Sequence, residues 1–200
     1  MAKELSEMSL EELWQLFPII LKEHNEEYAR WYEEEKENIL SLLHKQEWYR
    51  INHIGSTAVK NLLAKPTVDI LLEINPDCDV VYLKERLLTQ GWLMMHAENE
   101  PEFRWVLNKG YTSAGFAEKV YHLHVRLKSD WDELYFRDYL MEHPQTAEDY
   151  AKLKRVLGQQ FEHDRDGYTE AKTEFIQTVT KRAKLLYLER YMPKERELFL

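Results

Sequence analysis

The residues best suited to chemistry lie in two short runs, His53-Ile54-Gly55-Ser56-Thr57-Ala58-Val59 and Lys65-Pro66-Thr67-Val68-Asp69-Ile70-Leu71. A glycine where a strand ends lets a phosphate approach the backbone closely. Ser56 and Thr57 offer hydroxyls and, at the start of a helix, backbone N–H groups where an anion is favoured. Asp69, projecting from a hydrophobic strand, can serve as an oxygen ligand for Mg²⁺ beside substrate phosphates. Lys65 adds a charge able to neutralise a phosphate. An ordinary turn with a helix capped by Ser56 or Thr57 uses the same Gly-Ser dipeptide, so the strand acid is what lifts the combination above a common turn.

Holding these residues in place requires two strands and a connection. Residues 49–54 alternate and read as a strand running into Gly55, and Val68–Ile74 is the clearest strand in the chain. Residues 59–65 are expected to form a short helix between them, punctuated by Pro66. Upstream, Ser9 with Glu12 makes a capping box for a short helix that stops before Pro18. Residues 19–21 read as a short extended piece, and residues 25–44 carry apolar side chains at helical spacing. Downstream come a helix over residues 80–90 closed by Gly91, strands near 92–96 and 103–107, a loop holding Tyr111 between Gly110 and Gly115, and a strand over 120–127. Three helices follow, Asp132–Glu142, residues 146–161 and residues 168–190. This order predicts an α+β (mixed α/β) fold, a mixed sheet flanked by helices with a helical C-terminal part. A single domain is expected, with the sheet and N-terminal helices in residues 1–130 and a helical extension packed on it in 131–200.

Gly-Ser, a spacer and an acid in a hydrophobic strand resemble the signature of the DNA polymerase beta-like nucleotidyltransferase superfamily. The longer strings HIGSTAV and AKPTVDILLEI resemble the GrpB family more specifically, as do NKGYTSAGFAEKVYHLHVR from Asn108 to Arg126 and FRDYL at 136–140. His143-Pro144, Tyr150, Leu153-Lys154, Tyr168, Lys172 and Phe175-Ile176 complete the likeness, which covers roughly residues 19–185. The resemblance implies a nucleotidyltransferase-like fold. It also implies a nucleoside triphosphate as substrate and a divalent metal (Mg, Mn or Zn).

Superfamily enzymes carry two acids two residues apart on one strand, where both side chains share a face. The first corresponds to Asp69, but the second position is Leu71. Glu73 shares that face yet lies about 13 Å along the strand and does not replace the missing ligand. The third acid comes from a neighbouring strand, matched best by His122-Leu123-His124-Val125-Arg126, whose same-face set holds no carboxylate. The resemblance therefore points to Asp69 with His122 and His124 as catalytic and metal-binding residues. Gly55, Ser56, Thr57, Lys65 and Arg126 are the phosphate-binding ones. Imidazoles suit zinc, manganese or nickel better than magnesium and can act as bases near neutral pH. The alternative is that one histidine faces the core and the other bonds a helix.

Among weaker candidates, Arg104 and Lys109 can meet a phosphate. Arg137 and Asp138 fit a buried ion pair joining the helices to the sheet, or residues that orient the site. Lys154 and Lys172 can face a ligand, and His143 reads as a helix-end residue.

Bulk composition narrows the field. A net charge of -9 disfavours general nucleic-acid binding, which needs a positive surface. Residues 1–50 hold twelve Glu against six Lys or Arg, and Glu33, Glu34, Glu35 and Glu37 read as a solvated helix face. One cysteine, Cys78, excludes an internal disulfide and a Cys-based zinc site. With no signal peptide and no run of ~18 apolar residues, a cytoplasmic protein without a membrane partner is expected. Three functions compete: transfer of a nucleotidyl or phosphoryl group to an acceptor, binding of a nucleotide or phosphorylated ligand without turnover, and docking of a partner on the acidic N-terminal helix. Leu71 favours the second over the first, and the histidine pair pulls back toward metal-assisted chemistry.

Overall fold

The computed structural model describes residues 3–100 and 102–194. Five strands, β1 (Trp48–Ile54), β2 (Val68–Ile74), β3 (Leu93–Glu98), β4 (Arg104–Thr112) and β5 (Gly115–Leu127), form one sheet in the order β1-β2-β5-β4-β3. The central pair, β2 and β5, is parallel, and every other neighbouring pair is antiparallel. The helices are α1 (Leu10–Leu16), α2 (Glu27–Leu40), α3 (Val80–Thr89), α4 (Asp132–Glu142), α5 (Pro144–Gln160), α6 (Arg165–Glu170) and α7 (Thr173–Tyr187). The expected α+β class is what forms, and the capping box at Ser9 and Glu12 is present.

Alternation along the central strands sorts their side chains by face. Val68, Ile70, Leu72 and Ile74 join Tyr121, Leu123 and Val125 in a core with Tyr28, Trp31 and Tyr32 of α2 and Leu83 and Leu87 of α3. Cys78 is buried in that core, and burial pushes its thiol up to about 11, so it is a packing residue. The opposite face carries Asp69, Leu71 and Glu73, in register with His122, His124 and Arg126. There Leu71 packs with Ile54, Trp131 and Leu134, so α4 covers the middle of this face and leaves Asp69 at its open end.

Four expectations are corrected. Residues 59–65 form no helix: one 3-10 turn, Ser56–Ala58, is followed by an irregular loop. Val59, Leu62 and Leu63 bury themselves against Leu140, Tyr150 and Ala151, which a helix facing solvent on one side does not allow, and Asn61 takes a left-handed φ of 62°. The stretch from Gly110 to Gly115 is the end of a hairpin. Gly110, at φ 90°, sits in a β4 bulge where a Cβ would lie 2.2 Å from the Lys119 carbonyl oxygen. The long last helix is broken into α6 and α7. Asp164 caps α6 through the Gly167 N–H at 2.8 Å, and the Lys172 N–H bonds Thr169 three residues back, tightening the turn between them. Finally, Glu35 is not solvated: it is buried and pairs with Lys109 at 2.7 Å, while Glu34 holds Lys119 at 2.6 Å. These acids anchor α2 on the sheet. No helix among the described residues is long and apolar enough to cross a membrane.

Candidate functional site

At the open end of the polar face β1 turns into Gly55. Its φ of 70° and ψ of -170° suit glycine almost alone. A Cβ there would lie 2.4 Å from Asp69 Oδ2, so the glycine makes room for the Asp69 carboxylate rather than for a phosphate. Ser56 and Thr57 then begin only a three-residue 3-10 turn, too short to supply a helix dipole. The Thr57 hydroxyl is engaged as well. It donates to the Thr67 carbonyl at 3.0 Å and accepts from His53 Nε2 at 3.0 Å, with His53 kept neutral because burial pushes its pKa down to about 4. Thr57 is thus a clamp on the loop, and Ser56 is the hydroxyl that faces outward.

Asp69 and His122 stand side by side in the parallel register, and His122 Nδ1 lies 3.0 Å from Asp69 Oδ1. His124 Nε2 is 3.8 Å from the same oxygen. Burial opposes the charge on Asp69, but the two imidazoles outweigh it and hold the carboxyl far below the usual carboxylate range. Burial pushes His122 the other way, toward the neutral form. Its tautomer follows from the donors around it. Arg165 has only protons to give and donates to the Tyr111 hydroxyl at 3.0 Å; Tyr111 gives its own proton to His122 Nε2 at 2.8 Å; His122 Nδ1–H donates to Asp69.

Both ring nitrogens of His122 are therefore occupied. Asp69, His122 and His124 lie together, His122 hydrogen-bonded to Asp69 within the relay and His124 3.8 Å from it, outside it. Among the described residues no three His, Cys, Asp or Glu side chains are arranged to hold a metal ion. The second-acid position, Leu71, is fully buried among apolar groups. This donor set does not fit a two-ion site, which needs several carboxylates to hold the pair of ions.

Beside this relay opens a cavity of about 380 Å³, lined by Gly55, Ser56 and Asp69 and by side chains from α5, α6 and the turn before α7. Four cations face it: Lys65, Lys154, Arg165 and Lys172. Lys154, 2% exposed, donates to Ser56 Oγ at 2.9 Å and to the Leu63 carbonyl. Burial, then the neighbouring Lys172, Arg155 and Lys65, push its pKa down to about 7. Lys172 falls to about 7 through burial and the charges of Lys65 and Arg165, with Asp69 opposing. Lys65 falls to about 8 through burial and Arg165. Aromatic faces hold these ammonium groups, Tyr150 under Lys154 at 4.5 Å and Tyr168 under Lys172 at 4.1 Å.

The other expected residues divide. Lys65, Lys154 and Lys172 reach the cavity. Arg126 does not: it is buried, donates to the Trp105 and Val125 carbonyls, and stacks on Trp131, so its assignment to a phosphate is corrected. Lys109 is held by Glu35 and Glu73 by Arg50. Arg137 pairs with Asp138 and donates to His53 O at 3.0 Å, joining α4 to β1. His143 bonds the Tyr139 carbonyl at 2.9 Å at a helix end. Arg165 and the hydroxyl of Tyr111 were not foreseen. The four-residue spacing of Tyr150 with Lys154 and of Tyr168 with Lys172 was a usable signal, since it stacks a cation on a ring along one helix face.

A mixed five-stranded sheet with an acid on a central strand, a Gly-Ser turn beside it and a cleft lined by lysines and an arginine under the C-terminal helices defines the class as an α+β protein with a polar cleft at one end of its sheet. The family described as GrpB protein matches residues 18–182, and the chain belongs to that family. It is 30% identical over 165 residues to glutamate-rich protein GrpB of Alkalihalophilus pseudofirmus, covering 80% of this chain and 93% of that one. It is 33% identical over 164 residues to UPF0157 protein YqkA of Bacillus subtilis, but spans only 46% of that relative's length against 80% of its own. A crystal structure of conserved protein GrpB from Enterococcus faecalis is similar with a TM-score of 0.73 at 30% identity, over 84% of this chain and 99% of that one.

Proposed function

We propose that this chain binds a phosphorylated small molecule, a nucleotide in class, with its phosphates in the basic cavity. The observation that carries this is the convergence of Lys65, Lys154, Arg165 and Lys172 on one cleft faced by two carboxylates, Asp69 and Asp166. Like charges crowded in a partly buried space repel one another and cost stability, and an anion carrying several charges relieves that cost. Arg165 offers a planar fork for phosphate oxygens, and Ser56 a hydroxyl already aligned by Lys154. On the acidic helix α2, Glu34 and Glu35 are engaged by lysines of the sheet.

Group transfer is a second reading. It is favoured by one observation: Asp69, charged and fixed by the Arg165–Tyr111–His122 relay, lines this cleft at its edge. Thermal unfolding with phosphate, pyrophosphate and ATP tests binding. At a ligand concentration 100 times Kd the stabilisation is about 2.7 kcal/mol. Pyrophosphate and ATP should raise the midpoint of wild type and fail to do so in Lys172→Met. An absence of any shift in wild type would sink the binding reading. Labelled ATP incubated with candidate acceptors then separates the two: turnover that disappears in Asp69→Ala supports transfer, and intact ATP supports binding alone.

A further inference from the structure

Ser56 lies where two cavities meet. Besides the basic one it lines a second, of about 570 Å³, which shares Gly55, Asp69 and Tyr150 with the first and runs the other way, toward α4 and α7. Beside Tyr150 the wall of this second space is apolar, built by Phe136 and Ile176, with the Phe136 ring edge-on to Tyr150 at 5.3 Å. Ser56 itself is half-buried.

The partner of the Ser56 hydroxyl is an unpaired lysine. Lys154 Nζ lies 2.9 Å from Ser56 Oγ, contacts the Leu63 carbonyl, and has the Tyr150 ring under it at 4.5 Å. Its side chain is almost fully buried. A lysine buried only to support a fold is nearly always paired with an acid. The charges acting on Lys154 are all positive, those of Lys172, Arg155 and Lys65, and with burial they favour the neutral amine near pH 7. A neutral amine has two hydrogens and one lone pair. Its hydrogens serve the Leu63 carbonyl and the Tyr150 face, and the lone pair is left for the Ser56 proton. A serine nucleophile with a lysine as its base has this arrangement.

We propose that Ser56 and Lys154 are a nucleophile and its base, hydrolysing a carboxylic ester of a phosphorylated alcohol. The choice of alcohol rests on the phosphate-binding reading. With the ester in place Ser56 meets its carbon, the phosphate is left to Lys65, Arg165 and Lys172, and the acyl group lies against Phe136 and Ile176. Ser56 Oγ attacks the ester carbon while Lys154 Nζ takes the hydroxyl proton. The bond from that carbon to the alcohol oxygen breaks, and Lys154 returns the proton to the departing alkoxide. Water, deprotonated by the same amine, then attacks the acyl-serine, which releases the carboxylic acid and restores the Ser56 hydroxyl. Cations lining the same cleft favour the negative charge that develops on the carbonyl oxygen.

A fluorophosphonate, from which Ser56 displaces fluoride at phosphorus, tests the pair, with mass spectrometry reading the adduct. Wild type should gain an adduct on Ser56 at a rate that rises with pH and levels off above about 7. Lys154→Arg keeps a cation and donors for Ser56 and Leu63 but cannot give up its proton. Its labelling should be slower by about a hundredfold or more, whereas a lysine that only pins the loop leaves the rate unchanged. No adduct, an adduct retained in Ser56→Ala, a rate without a plateau, or wild-type labelling of Lys154→Arg overturns the pair. Should Lys154→Arg fail to fold, the wild-type pH profile decides alone. Butyryl glycerol 3-phosphate and monobutyrin then test the substrate. The phosphorylated ester should release butyrate about tenfold faster or more, and no release from either overturns the hydrolase. Labelled Ser56 with equal release from the two esters removes the phosphate reading and leaves the pair standing. A thermal shift with pyrophosphate in a protein that takes no adduct does the reverse.

Discussion

Asp69 keeps its charge in a half-buried place because two imidazoles face it, and it fits there because residue 55 has no side chain. Gly55→Ala adds a Cβ 2.4 Å from Asp69 Oδ2 and forces φ 70° on an L residue. Denaturant unfolding should show a loss of about 2–4 kcal/mol, of which about 1–3 is backbone strain. In an Asp69→Ala background the clash disappears and the strain stays, so the same substitution should cost less. Equal costs in both backgrounds would mean that the carboxylate does not pack on the glycine. Gly55, Ser56 and Asp69 were legible in the sequence because a strand, a turn and a strand set them locally. Thr57 was legible as a site residue but not as a clamp, since its partners, Thr67 and His53, are fixed only when the strands close on the loop.

Among the elements, β2 and α4 explain why position 71 is leucine and not a second acid. Position 71 points to the same face as Asp69 but lies under α4, packed on Trp131 and Leu134 with no exposure. Leu71→Asp therefore buries a carboxylate among apolar side chains. It should destabilise the fold by about 3–5 kcal/mol, in the range of a severe core substitution, and circular dichroism melting should show it. Normal stability in this variant would mean that α4 lifts off and that the position is open for a metal ligand. All five strands and five of the helices, α1 to α5, were readable from period and punctuation. The loop after Gly55 was misread because its apolar residues at 59, 62 and 63 are spaced like a helix, yet each is buried by contacts from residues some 80 positions away (roughly the span from Leu62 to Leu140). The α6–α7 break left no Gly or Pro at its turn, so nothing local announced it.

Across the whole molecule, a net charge of -9 coexists with a cleft faced by four cations. Composition could not reveal this, because Lys65, Lys154, Arg165 and Lys172 come from a loop, the helices α5 and α6, and the turn before α7, which meet only in the folded chain. Their lowered pKa values have a sign that can be worked out. A lysine depressed from 10.5 to about 7 or 8 holds fewer protons folded than unfolded in between, so its contribution to stability rises with pH across that window. An anion in the cleft favours the charged forms, so binding takes up protons, and affinity falls as pH climbs above about 7. Calorimetry of pyrophosphate binding at pH 8, in buffers of different ionisation enthalpy, measures this directly. Uptake of about one to two protons per pyrophosphate bound is expected, reduced by about one in Lys172→Met if that variant still binds. Tight binding with no proton uptake, or an uptake unchanged in Lys172→Met, would contradict the placement of the phosphates among these lysines.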